Sequence, residues 1–452
     1  MASSSDREPS LASGETPEAL EEASWTAWWK DDADVVFDAR ASAYRRYRHR
    51  GDLAGAARMA IWLARDELDF NGAATVAGGL LRRAERLLTG LEERPEHGWH
   101  AFVSGYLASW NGETARTLEL AASAAASGRR LAVPDLEMLG LALEGATLVS
   151  SANVDEGMRR LDSATAMAVK KGSTLPMAAA WTVGFRMNAC LAVGDYRKAA
   201  EWCDRIRDFA DRHGSRYMLA SCRAGYGAVQ LWRGNWKEAE GLLEASVEDF
   251  LGSRAALVGG PLATLAELRW RQGRWSDAAE LVERTGSPAA EQLLAARRAL
   301  EDGDAARAAE LAERLARLTP DEHRLESWPA LELLVRSRAR RGELDDARAA
   351  LEALRRLEGL VGTPAFRAAR VLAEGRVAAA AGERDEARTL LEGAVDAFER
   401  CPAPYEAAEA RDDLARVLTA LRDTEAAASE VERAETIRRR IGAPSRTRRR
   451  SN

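Results

Sequence analysis

A glycine followed five residues later by an alanine recurs along this chain at nearly constant spacing. The pairs are Gly72/Ala77, Gly194/Ala199, Gly234/Ala239, Gly273/Ala278, Gly303/Ala308, Gly342/Ala347 and Gly382/Ala387. Three degenerate copies keep the same phase: Gly112/Thr117, Ala152/Gly157 and Arg422/Ala427. A weaker first unit turns near Asp31-Asp32. Successive first members lie 39 to 42 residues apart, with one interval of 30 between Gly273 and Gly303. A register held over a whole chain means one supersecondary unit stacked on copies of itself. The 452 residues are then a number of units rather than a number of compact domains.

The unit is helical. Ala, Leu, Arg and Glu dominate and only 13 prolines occur, a composition of strong helix formers. Each recurring Gly suits the end of one helix, where the backbone turns left-handed. The Asp, Asn or Glu often beside it starts the next helix. Small residues recur seven before the turn, as Gly105, Gly145, Gly227, Gly375, Ala266 and Ala296, and twelve after it, as Ala84, Ala124, Ala164, Ala394 and Ala434. They let two helices approach closely. Small at −7, Gly at the turn, small at +5 and small at +12 is the spacing of the tetratricopeptide repeat, which the chain resembles from about Thr16 to Ala443. The units are longer than the 34 residues of that repeat, and its Trp and Tyr positions are poorly kept. The expectation is an all-α, right-handed superhelical solenoid of about eleven helix pairs.

Thr16-Pro17, Val133-Pro134-Asp135 and Thr363-Pro364 place a cap or turn residue before a proline at the first helical position. Pro320 sits where tetratricopeptide units often carry a closing proline. The short interval contains Gly286-Ser287-Pro288 and reads as a kink. The organisation expected is a disordered leader over 1–16, an N-terminal array over 17–286, a C-terminal array over 287–443 and a basic tail over 444–452. The tail carries Arg446 and Arg448 to Arg450, close behind Arg438-Arg439-Arg440, and reads as solvated chain, with contact to nucleic acid or an acidic membrane as the alternative.

Three runs resemble the repeat region of large bacterial regulators of the LuxR and MalT type: Trp28 to Asp32, Pro134 to Gly145, and Leu231 to Glu240. Arg439 to Pro444 resembles the passage from repeats to a DNA-binding head. In that family the repeats sense an inducer or an inhibitory partner. No G-x-x-x-x-G-K-[ST] occurs, and Lys170-Lys171-Gly172-Ser173 lacks the glycine loop. Eight residues after Pro444 are too few for a helix-turn-helix. The resemblance therefore implies a sensor or adaptor, and DNA binding is not carried over.

A net charge of −6 argues against a nucleic-acid footprint, so no specific DNA binding is expected of this chain alone. No apolar run is long enough to span a membrane. Cys190, Cys203, Cys222 and Cys401 are too few for a disulfide framework in a chain this long, which points to the cytoplasm. Cys190, Cys203 and Cys222, with His213 nearby, converge on a metal or thiol switch or are small buried hydrophobes. His97 and His100 share a helix face, but no third ligand accompanies them; the remaining histidines are His49 and His323. Asp66 and Asp69 share a face before Gly72, where they do acid–base work, meet a basic partner or solvate the helix. No nucleophile with a partnered base is recognisable. Neither a metal nor a cofactor is expected, and neither is catalysis.

The concave face carries more information. In tetratricopeptide units it is lined by the first helix of each pair, at positions 13, 10, 6, 3 and 2 before the turn. These hold Trp62, Phe70, Trp99, Phe102, Tyr106, Trp110, Trp181, Trp232 and Trp270, which are binding anchors or core fillers. Six before the later turns stand Arg297, Arg336, Arg376 and Arg416. That row suits carboxylates or phosphates, or pairs internally with Glu332, Glu409 and Asp412. The function expected is a non-catalytic binding module, sensor or adaptor, holding a peptide, a protein partner or a small-molecule effector. The alternatives are a LuxR-type regulator component acting beside a separate DNA-binding part, and an enzyme or biosynthetic accessory with a pocket inside the superhelix.

Overall fold

The computed structural model describes residues 15–169, 176–319 and 324–446. Most of the expected leader, most of the tail, Pro320, His323 and Lys170 to Ser173 lie outside them. Among the described residues there are 22 α-helices and no strand. The helices pack as eleven consecutive hairpins, from Pro17–Trp29 with Ala33–His49 to Pro404–Ala420 with Thr424–Ile441. No helix among them is long and apolar enough to cross a membrane.

Every hairpin turns where the repeat register put it. The eleven turn residues, from Asp31 to Arg422, all have φ between 58 and 87°. Eight are glycines. Asp31, Ala152 and Arg422 adopt the left-handed backbone without that freedom, at a cost of roughly 1–2 kcal/mol each. The amides after each turn reach back to the preceding helix, as Ala152 N to Val149 O at 2.9 Å and Asn153 N to Leu148 O at 2.9 Å. Asp32, Asp195, Asp304 and Asp423 then cap the second helix through their side chains.

The small positions mark where helices touch. Ala77, Ala199, Ala239, Ala278, Ala308, Ala347 and Ala387 are wholly buried, as are Ala84, Ala124, Ala164, Ala394 and Ala434. A β-carbon on Gly227 would meet Leu243 Cγ at 2.6 Å, and one on Gly145 would meet Gly157 O at 2.8 Å. The 30-residue interval gives short helices, Trp275–Thr285 of 11 residues and Pro288–Glu301 of 14.

The superhelix closes on itself every five hairpins. The Asp31 carboxylate in the first turn accepts from Arg216 N and Tyr217 N at 3.0 and 3.2 Å, at the start of the sixth hairpin. It also pairs with Arg254 at 2.7 Å, both side chains being buried. The fifth hairpin meets the tenth, with Thr363 Oγ1 donating to Val193 O at 2.7 Å. Trp232 Nε1 of the sixth donates to Cys401 O, beside the eleventh, at 3.0 Å. Arg271 of the seventh pairs with Glu406 of the eleventh at 2.8 Å. The concave face is thus shut into a channel instead of standing open as a groove.

Candidate ligand channel

The first superhelical turn is filled by its own side chains. Trp28, Trp62, Trp99, Phe102 and Trp181 are all buried. Ring centroids lie 5.2 Å apart for Trp62 and Trp99, and 5.7 Å apart for Trp28 and Trp181. The helix Leu53–Asp66 ends in a π-helical turn, Glu67–Asn71, that carries Asp69 and Phe70 inward. Phe70 lies under the Arg254 guanidinium at 3.6 Å. Trp62, Phe70, Trp99 and Phe102 therefore offer no open surface to a ligand, because the sixth hairpin and the first fold over them. Trp110 is 37% exposed and contacts Tyr106 edge-on.

Asp66 and Asp69 do not solvate a helix, and no free surface is left on them for a partner. Both are buried, Asp66 pairing with Arg40 at 2.7 Å and Asp69 with Arg65 at 3.0 Å. Burial pushes the Asp66 carboxyl up to about 6, against the pull of Arg40 and Arg254. Arg65 in turn stacks on Tyr106 at 3.4 Å and Trp181 at 4.2 Å. The histidine pair is also engaged: His97 Nδ1 accepts from Arg94 N, capping its own helix, and His100 Nε2 bonds Leu81 O at 3.1 Å. Cys190, Cys203 and Cys222 are buried, with Cys203 Sγ 3.4 Å from Met187 Sδ. Burial raises the Cys190 and Cys222 thiols to about 11, so both stay protonated and unreactive at neutral pH.

Past the filled turn the interior opens into three adjoining chambers. An apolar chamber of about 340 Å³ is walled by Tyr106, Trp181, Phe185, Tyr217 and Phe250. It shares Leu191, Ala228 and Thr264 with a middle chamber of about 470 Å³. The middle chamber shares Arg336, Arg376 and Glu409 with a third of about 580 Å³.

The middle chamber lies where the fifth to seventh hairpins meet the eighth to eleventh. On one wall Tyr196 stacks on Trp232 at 4.6 Å, and on the other Trp328 packs on Phe366 at 4.4 Å. All four rings are partly exposed. Trp270 lies between the Arg297 guanidinium, at 4.1 Å, and Tyr405, at 6.2 Å. The charged lining is internally paired. Arg271 bridges Glu267 at 2.7 Å and Glu406 at 2.8 Å, and Arg297 approaches Glu267 at 4.0 Å. Arg336 lies 3.4 Å from Glu332, and Arg376 bridges Glu332 at 2.9 Å and Asp413 at 2.7 Å. Arg416 also pairs with Asp413.

Of the residues singled out by repeat position, Trp232, Trp270, Arg297, Arg336 and Arg376 line the middle chamber. Tyr106 and Trp181 border the apolar one, and Arg416 the third. Tyr196, Trp328, Phe366, Tyr405, Arg271 and Glu406 were not anticipated. Trp328, Phe366 and Tyr405 sit at the starts of their helices, farther from the turn than the positions considered. The Trp328-Pro329, Pro364 and Pro404 helix starts mark where such residues fall.

No protein family matches the chain, and no curated protein matches it. Solved structures do. A Rap protein complexed with Competence and Sporulation Factor is 16% identical, with a TM-score of 0.55 over 75% of this chain and 98% of that one. The apo form of the quorum sensor NprR from B. thuringiensis is 12% identical, with a TM-score of 0.45 over 75% and 97%. The Cut9–Hcn1 hetero-tetramer of the APC/C is 13% identical, with a TM-score of 0.41 over 95% and 94%. At 16% identity the likeness to the Rap protein shows the fold, a tetratricopeptide-like helical solenoid.

Proposed function

We propose that this chain is a non-catalytic binding module, a sensor or adaptor, that holds a short extended peptide or a linear segment of a protein inside its closed superhelix. The observation that carries the reading is the middle chamber. Its volume is in the range of ligand sites, and it combines partly exposed aromatic rings with a few fixed polar groups. An adjoining chamber on either side suits an extended chain better than a compact metabolite. The fold is shared with a Rap protein solved in complex with Competence and Sporulation Factor, which supports a binding role for this fold. The LuxR-type reading rests on the sequence runs alone.

Native mass spectrometry of the purified protein tests this. A co-purified species of peptide mass is expected, lost in Trp328→Ala and Phe366→Ala while circular dichroism stays helical. Retention of the same species by both variants would place it elsewhere and end the proposal.

A further inference from the structure

The third chamber differs from the other two in charge. Six arginines border it, Arg336, Arg340, Arg376, Arg384, Arg416 and Arg446, against the carboxylates of Glu409 and Asp413. Just behind the wall Glu332 pairs with Arg336 and Arg376, and Asp412 with Arg446 at 3.0 Å. The lining itself thus sets six arginines against two carboxylates, with Glu332, Asp412 and Glu435 behind it. Arg340 and Arg384 have no carboxylate partner among the described residues; the Arg340 guanidinium donates to Leu300 O at 2.6 Å.

The surplus is felt by the wall itself. Partial burial, reinforced by Arg336, Arg376 and Arg446, pushes Arg340 down to about 10, although its side chain still reaches water. Burial with Arg446 and Arg376 does the same to Arg416. Arg416 is nonetheless 54% accessible. A side chain both crowded by neighbours and open to water lines a hollow. Arg446, expected in a solvated tail, is part of this wall and is held by Glu409 at 2.5 Å. Arg438 is buried in the last helix against Glu409 and Asp412.

We infer that the arginine chamber anchors a carboxylate of the chain lying in the channel, either its free C-terminus or an Asp or Glu side chain. This rests on the channel reading above, because Arg336, Arg376 and Glu409 border both chambers. Two spare guanidiniums match one or two carboxylates, since a guanidinium takes a carboxylate through paired N–H donors. Glu409 and Asp413 in the same wall oppose a more highly charged anion. A bound segment then has a fixed polarity, with apolar residues toward Trp270 and Trp328 and the acid toward Arg340.

The test is calorimetric titration of the full chain with four tetrapeptides: Gln-Gln-Glu-Gln, its C-terminal amide, tetraglutamine with a free C-terminus, and tetraglutamine amide. Binding is expected for carboxylate-bearing probes, weakening as salt rises, and absent for the neutral amide. Binding of the free tetraglutamine assigns the terminal carboxylate, and binding of the Gln-Gln-Glu-Gln amide assigns a side chain. Arg340→Gln with Arg384→Gln should weaken it at least about tenfold. Should that pair alter the circular dichroism, Arg384→Glu alone carries the test, because Arg384 is exposed. Equal binding by wild type and variants, or none by any carboxylate probe, overturns the inference. A peptide still found by native mass spectrometry in that case would leave the channel reading standing.

Discussion

Replacing Trp181 by alanine should unfold the first superhelical turn well before the rest of the molecule. The indole is 5% exposed and packs between Trp28, Phe102 and the Arg65 guanidinium. Emptying a buried Trp site costs about 3–5 kcal/mol. Arg65, itself 4% exposed, loses one of its two ring partners, which adds about 0.5–2 kcal/mol. The surrounding rings belong to several hairpins, so little collapse can fill the space. Trp110→Ala makes the contrast. That ring is 37% exposed and meets Tyr106 edge-on, so its loss should cost about 1 kcal/mol or less. The assay is urea unfolding followed by circular dichroism and tryptophan emission, since an array need not melt in one step. If Trp181→Ala shifts the midpoint no more than Trp110→Ala, the filled first turn is wrong and an open aromatic groove is restored.

Three further outcomes follow from particular residues. Arg422 is exposed at φ 65°, so Arg422→Gly should stabilise the last hairpin by about 1 kcal/mol in the same unfolding assay. Gly227→Leu should instead cost about 1–3 kcal/mol, since even its first carbon would sit 2.6 Å from Leu243. Asp66 has a folded pKa near 6, raised by burial from an ordinary 3.8. Between those values the native state holds a proton that the unfolded chain has released. Its contribution therefore falls as pH rises from about 4 to about 6 and is flat above. The difference in unfolding free energy between wild type and Asp66→Asn should change across that window and not from pH 7 to 8.

The local architecture was legible because it repeats. Even Asp31, Ala152 and Arg422, which lack the glycine signature, turn in register, since the units on either side fix where a helix must end. The small positions were legible for the same reason. The closure was not. It joins Asp31 to Arg254, Val193 to Thr363 and Trp232 to Cys401, and depends on how a small rotation per hairpin accumulates over five of them. That accumulation leaves no local pattern. It also decides which concave residues stay accessible: Phe70 and Trp232 both stand two residues before their turns, yet one is sealed under Arg254 and the other borders the middle chamber. Asp66 and Asp69 looked like surface because acids on one helix face usually are. Their arginine partners, one of them 26 residues earlier, reveal the burial only once the hairpins are stacked.

Everything proposed for the interior requires the fifth and tenth hairpins to touch. A β-carbon on Gly194 would lie 3.0 Å from Ala365 Cβ, about 0.5 Å inside the shortest separation usual for a disulfide, so the two turns need part only slightly for the bond to close. The direct measurement is the oxidation of a Gly194→Cys, Ala365→Cys variant, followed by non-reducing electrophoresis and peptide mapping. The closed superhelix predicts near-complete formation of the 194–365 disulfide in folded protein and none when oxidation is carried out in denaturant. Two thiols that stay free and alkylate readily in the folded state would mean that the turns stand apart and that there is no channel.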